Sequence, residues 1–319
     1  MTKNHWIAFT LALSLTASGA ACAQSYPTKS IRIVTSAPGG ANDLTTRIIA
    51  QGIAPLLGQP VVVDNRGSVL TGEIVAKAPP DGYTILAQAT SFTMGPLLGD
   101  TPYDIIRDFA PISLATKAPN ILTVHPSVQV STVAELITLA KAKPGALNFA
   151  TGNTGSSAHL AGELFKAMSG VNIVRIPYKG DGPAIIGLLG GQTQLMFVTA
   201  GSVIPHVKSG KLKAIAVTSL QRSAVVPELP SISESGLNGY ESSSAVVLFA
   251  PAKTPANVIN RLNQDIVRFL NQPDTKQKFL AEGAADVIAS SPRELAAWLK
   301  FEMSRWGKVI KDAGIRNSN

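Results

Sequence analysis

Short, continuously apolar runs separated by helical stripes set the pattern of this chain. Runs over 31–35, 61–64, 84–89, 147–150, 173–176, 195–198 and 214–218 have the length and β-branched content of buried strands. After the first, Leu44, Ile48, Ile49, Ile53, Leu56 and Leu57 recur at helical spacing and stop at Gly58, an apolar stripe closed by a C-terminal glycine. Thr132-Val133-Ala134-Glu135 has the capping-box form ahead of Leu136, Ile137 and Ala140. Pro183 suits the first position of a helix over 184–189. This alternation predicts an α/β fold with mainly parallel sheets.

Beyond Pro255 the pattern turns helical. Val258, Leu262, Ile266 and Leu270 are spaced by four, and Leu295, Trp298, Leu299, Trp306 and Ile310 mark a last long helix. One local arrangement occurs twice. A strand runs into TSAPGGANDLTTR at Thr35–Arg47, and another into NFATGNTGSS at Asn148–Ser157, followed by a helix with Leu160, Leu164, Phe165 and Met168 on one side. Two such units imply two α/β lobes, each presenting a helix N-terminus.

The chain has 319 residues, 45% of them hydrophobic, enough for one or two domains with full cores. Its long apolar run is at 6–22. Lys3 before it, a short apolar core over 7–15 and the small-residue site Ala21-Cys22-Ala23 read as a signal peptide over residues 1–23. A membrane anchor needs a span of ~20 residues, and lipidation at Cys22 stands as an alternative to cleavage. Cys22 is the single cysteine, so removal of the leader excludes disulfides, thiolate catalysis and cysteine-held metal clusters. The leader carries Lys3 and no acid, so the net charge of the mature chain is 8 − 1 = +7. That favours anionic partners. Without an arginine-rich run or interleaved aromatics it does not point to nucleic acid.

The glycine-rich turns first suggest phosphate. Gly39-Gly40 is followed by Ala41-Asn42-Asp43, which lacks the lysine of a P-loop and the spacing of a dinucleotide fingerprint. What remains is a helix N-terminus with approachable backbone N–H groups, suited to an anion. Asp43 opposes a simple anion site and reads as a cap or loop-orienting group. G-x-S-x-G and H-E-x-x-H are absent, and His125, His159 and His206 show no metal spacing. His159 reads as a satisfied structural histidine, with a triad through Ser156 or Ser157 as the alternative. The residues indicate no enzyme, metal or cofactor.

Several stretches together carry a family resemblance: YPTKSIRIVTSAPGGANDLTTR, GQPVVVDNR, VAKAPPDGYTIL, LAKAKPGALNFATGNTGSSAHLAGELFK, VRIPYKGDGPAI, LLGGQTQLMF and APAKTPANVINRLN. The chain resembles the Bug family, the TctC-type periplasmic solute-binding proteins of tripartite tricarboxylate transporters, over nearly all its mature length. The resemblance implies a two-lobed periplasmic binding protein fold of type II character with the ligand cleft between lobes. Lobe 1 would comprise 24–122 and 248–319, and lobe 2 residues 123–247. It implies a periplasmic monomer that captures a small organic anion, mostly carboxylates in the family, and delivers it to separate membrane permease subunits. A ligand-presenting sensor partner and a secreted serine hydrolase are the competing readings.

The family grips its ligand with a loop from each lobe. Carried over, the first loop is Ser36, Ala37, Gly39, Gly40, Asn42 and Asp43. The opposing loop is Thr151, Asn153, Thr154, Gly155, Ser156 and Ser157, with His159 behind it. Tyr178, Lys179 and Gly180 of PYKG form a second turn, and Thr90, Ser91, Thr199 and Ala200 sit where strands end toward the same cleft. Lys179 would supply either a cation for the ligand or a surface salt bridge. The chain departs from the family at 67–72, where the shorter, more apolar loop GSVLTG replaces a glycine-rich run that borders the cleft, and at 242–245, where SSSA replaces a segment that often holds a bulky aromatic.

Overall fold

The computed structural model describes residues 26–39, 41–152, 154–283, 285–312 and 314–315. The leader expected over 1–23, with Cys22, lies outside them. The first half of the chain runs β1 (Ile31–Thr35), α1 (Ala41–Leu57), β2 (Val61–Asn65), α2 (Ser68–Ala76), β3 (Thr84–Ala89), α3 (Thr90–Leu98) and the long β4 (Phe109–Val124). Then follow α4 (Val133–Ala142), β5 (Asn148–Thr151), α5 (Ser157–Ser169), β6 (Val174–Pro177), α6 (Asp181–Leu189), β7 (Leu195–Thr199), α7 (Ala200–Lys208) and β8 (Lys213–Val217). The chain returns through β9 (Ser243–Pro251), α8 (Ala256–Leu270), α9 (Pro273–Lys278), a π-helical turn, β10 (Asp286–Val287) and α10 (Pro292–Asp312).

The strand order β2-β1-β3-β9-β4-β7-β5-β6 describes two lobes joined through β4. The expected parallel pairing holds for β1 with β2 and β3, and for β5 with β6 and β7. Between them, β4 and β9 add antiparallel ladders. Along β4, Phe109–Pro119 pairs with β9, whereas Asn120–Val124 pairs with β7 and β8. The two segments that cross between the lobes are β4 near Asn120 and the entry to β9 near Ser242, and buried Thr218 ties them together. Its Oγ1 accepts from Asn120 N at 2.8 Å and donates to Ser242 O, and its own carbonyl accepts from Ser242 N at 2.8 Å.

Each lobe is a sheet between helical layers. Ile31, Ile33 and Ile85 pack against Ile49 and Ile53 of α1 and Leu262 and Ile266 of α8, and Val34, Leu86 and Phe249 face Phe92 and α10. In lobe 2, Phe149, Leu195 and Phe197 meet Leu160, Leu164 and Phe165 of α5, while Met196 and Val198 meet α6 and α7. One helix serves both lobes: Leu295 and Leu299 of α10 lie in the lobe 1 core, Trp306 and Ile310 in the lobe 2 core.

Local signals are largely realised. Thr132 Oγ1 accepts from Glu135 N at 3.1 Å, although the Glu135 carboxylate accepts in return from Ser131 N rather than from Thr132 N. Three expectations are corrected. The stretch over 67–72 is not a loop: Ser68 onward is α2, because without a glycine-rich run these residues can close helical hydrogen bonds. Helix α6 begins at Asp181 after Gly180, two residues before Pro183. Met168 is 38% exposed rather than part of the buried stripe of α5. Among the described residues no helix is long and apolar enough to cross a membrane.

Candidate functional site

The loop from β1 into α1 is held from behind. Asp43, buried in the first turn of α1, accepts from the backbone N–H of Gly39 at 3.0 Å, from Arg47 Nε at 3.1 Å and from Asn65 Nδ2 at 2.8 Å. Burial pushes its pKa up, but the hydrogen bonds from Asn65, Gly39 and Arg47 together with the Arg47 charge outweigh it, leaving the carboxyl below its ordinary range. Asp43 therefore braces the loop. Asn65 Nδ2 also donates to Ser36 O at 2.7 Å, so the VDNR segment fixes both ends of this turn.

Asn42 lies beside it. Its Nδ2 donates to Thr35 Oγ1 at 2.8 Å and to Ser36 Oγ at 2.9 Å. Its buried Oδ1 has no donor among the described residues. A cavity of about 250 Å³ opens here, lined by Gly39, Asn42 and Thr45 of lobe 1, by Thr116, Ala118, Ser244 and Val246 on the crossing strands, and by Thr199, Gly201 and Ser202 of lobe 2. The N-termini of α1 and α7 thus reach one space from opposite lobes. Ala37 is exposed and Ser36 partly so; Gly40 lies outside the described residues. Thr199 Oγ1 pairs with Ser202 Oγ at 3.0 Å. Ala200 is buried as the first residue of α7. Thr90 is buried, its hydroxyl accepting from Ala245 N at 2.8 Å on the second crossing, and Ser91 is exposed.

The opposing loop has its own brace. Gly155 N donates to His159 Nδ1 at 3.0 Å, and Ser156 caps α5 by accepting from His159 N at 3.3 Å. Burial, with the charges of Arg175 and Lys166, pushes the imidazole down to about 3, so it is neutral and carries its proton on Nε2, 4.0 Å from Glu163 Oε1. Ser157 Oγ meets Asn120 Oδ1 at 3.4 Å, and the buried Asn120 Nδ2 has no acceptor among the described residues. Neither Ser156 nor Ser157 bonds the ring. Gly155 sits at φ +77° with Leu98 of α3 where its Cβ would stand, so this loop abuts lobe 1. Asn153 lies outside the described residues.

Arg175 on β6 was not foreseen as a site residue. Its Nε donates to Thr151 Oγ1 at 2.9 Å and its Nη2 to Thr154 Oγ1 at 3.2 Å. The signal was an arginine inside the strand pattern of VRIPYKG. Lys179, the cation that the motif emphasised, is exposed and forms no ion pair among the described residues. The Tyr178 ring packs on Gly187 of α6, and its hydroxyl donates to Gln192 Oε1 at 3.3 Å. Gly180 turns the chain at φ +104° into α6. No group of three or more metal-ligating side chains forms among the described residues.

Known proteins match this geometry and sequence. The profile of the family described as "Tripartite tricarboxylate transporter family receptor" matches residues 45–315. Protein BugT of Bordetella pertussis is 35% identical over 301 residues, covering 92% of each chain. The structure of R. palustris Rpa4515 with adipate superposes with a TM-score of 0.79 at 34% identity, covering 91% of this chain and 99% of that one. MatC from Rhodopseudomonas palustris with bound malate gives a TM-score of 0.74 at 28% identity, covering 89% and 100%.

Proposed function

The chain belongs to the tripartite tricarboxylate transporter receptor family, and from that premise we propose that it captures a small carboxylate between its lobes. The observation that carries the reading is the cavity onto which the N-termini of α1 and α7 converge from opposite lobes. Helix N-termini and hydroxyls can satisfy a carboxylate without a buried lysine or arginine in direct contact. At about 250 Å³ the space suits an acid of a few carbons rather than a drug-sized molecule. Asn42 Oδ1 is an acceptor, so it would face a ligand hydroxyl or a water that bridges to the carboxylate.

In this reading the site comprises Gly39, Asn42 and Thr199, which line the cavity, together with Ser36 and Gly40 of lobe 1 and Thr151 to Ser157 of lobe 2, of which Ser36 and the 151–157 loop are not among its lining residues, with Asp43 and His159 as braces. The lobes are taken as 24–122 with 248–319, and 123–247, closing about β4 and β9, which carry the chain between them. The mature protein, freed of residues 1–23, acts in the periplasm as a monomer and passes its ligand to membrane permease subunits. The test is mass spectrometry of small molecules released by denaturing the natively purified protein. A stoichiometric organic acid supports the reading. A stoichiometric neutral or cationic solute overturns it.

A further inference from the structure

Resting on that carboxylate reading, we infer that Arg175 is a positioning residue that makes the lobe 2 loop selective for acids, by turning the Thr154 hydroxyl into an obligatory donor. A guanidinium only donates. A threonine oxygen that accepts from it must send its own hydrogen elsewhere. Arg175 donates to two such oxygens, Thr151 Oγ1 at 2.9 Å and Thr154 Oγ1 at 3.2 Å. Thr151 is fully buried at the end of β5 and anchors the arginine. Thr154 is partly exposed on the loop, and its hydroxyl hydrogen has no acceptor among the described residues. It is free to donate to a ligand oxygen in place of water.

The charge itself is locally uncompensated. No carboxylate of the described residues lies within ion-pair distance of Arg175. Glu163, the acid that acts on it through space, is engaged by Lys166 at 2.8 Å. Burial pushes the arginine down from its ordinary value, the mark of a cation whose surroundings do not repay its lost water. The neighbouring imidazole of His159 is neutral and adds no second charge. Asp181, packed against Gly152, is pushed up by its own burial, which weakens it as a counter-charge beside this loop. An anion held at the loop would supply the missing counter-charge, whereas a neutral amide of the same shape would not.

The experiment is calorimetric titration of wild type, R175Q, R175K, T154V and the double variant R175Q/T154V. The probes are malate, adipate and the uncharged diamide of whichever acid binds. Wild type is expected to prefer acid to amide. In R175Q that preference should fall by about 10- to 100-fold, the range of one charge-assisted hydrogen bond, and R175K should restore part of it by keeping the charge without the fork. The steepness with which affinity falls with salt should also drop in R175Q. T154V should weaken the acid more than the amide, because the hydroxyl's bond to a carboxylate is charge-assisted and its bond to an amide carbonyl is not, and the double variant should lose no more than R175Q. A purely structural arginine would weaken acid and amide equally, and that result overturns the inference. Wild type that binds acids while R175Q keeps the same acid-to-amide ratio overturns it too, leaving the carboxylate reading intact. Wild type that binds neither acid nor amide while binding some neutral solute overturns both.

Discussion

The backbone N–H of Gly155 donates to Nδ1 of His159 at 3.0 Å. That bond ties the tip of the 151–157 loop to the first turn of α5 and requires a neutral imidazole. Burial is the leading reason the ring stays neutral down to about 3. The folded value lies below the unfolded value of ~6.5, so between these limits the unfolded chain binds the extra proton. Stability is fully present above ~6.5 and is lost as pH falls toward 3, by up to about 1.4 kcal/mol per pH unit. Urea unfolding of wild type and H159Q at pH 6.5 and pH 5 checks this. The loss on acidification should be about 2 kcal/mol larger in wild type than in H159Q.

Asp43 carries the same logic in lobe 1 with the opposite charge. Its folded pKa is depressed, so its contribution is present above ~3.9 and fades as pH falls below that toward the folded value. D43N should destabilise the protein by about 1–3 kcal/mol at pH 7, because Gly39 N–H and Arg47 lose a charged acceptor. Thermal unfolding at pH 7 reads the loss, and at pH 3 the gap between wild type and D43N should narrow.

Gly155 is restricted twice, by its φ of +77° and by Leu98 at the place its Cβ would take. G155A should cost about 1–2 kcal/mol for the left-handed backbone alone, plus a steric part that depends on Leu98. In G155A/L98A the steric part should vanish, so the double variant is less unstable than the sum of the two single variants. Chemical denaturation of the four proteins checks the coupling.

Thr218 joins the two crossing segments through Asn120 and Ser242. T218V keeps the volume and removes the hydroxyl, leaving a buried N–H and a buried carbonyl each short of a bond. The expected cost is about 2–4 kcal/mol, read by urea unfolding, with T218S recovering most of it.

The sheet-forming runs and the first helix of each lobe were legible because their apolar spacing is local. The strand–loop–helix echo at 35–47 and 148–157 correctly showed two equivalent units. The long β4 was not legible, since Pro111 and Pro119 interrupt its pattern and its two ends pair with different partners. The helix at 68–76 was not legible, because the resemblance implies a loop there and Ser68-Val69-Leu70-Thr71 is too short a run to show helical spacing. The roles of Asp43 and His159 as loop braces depend on bonds to Asn65 and Gly155, of which the first is fixed by the sheet register and not by sequence spacing. Arg175 escaped notice for the same reason: its partners lie 21 and 24 residues away.

The central claim is that an acid occupies the space between the α1 and α7 N-termini. It is tested most directly by calorimetric titration of ligand-stripped protein with small mono- and dicarboxylates, alongside a variant that plugs the cavity, T45F or S202F. The account predicts one-to-one binding of at least one acid with a Kd in the micromolar range or below, abolished by the plug. Undiminished binding in both plugged variants, once each is shown to be folded by its thermal transition, would contradict it.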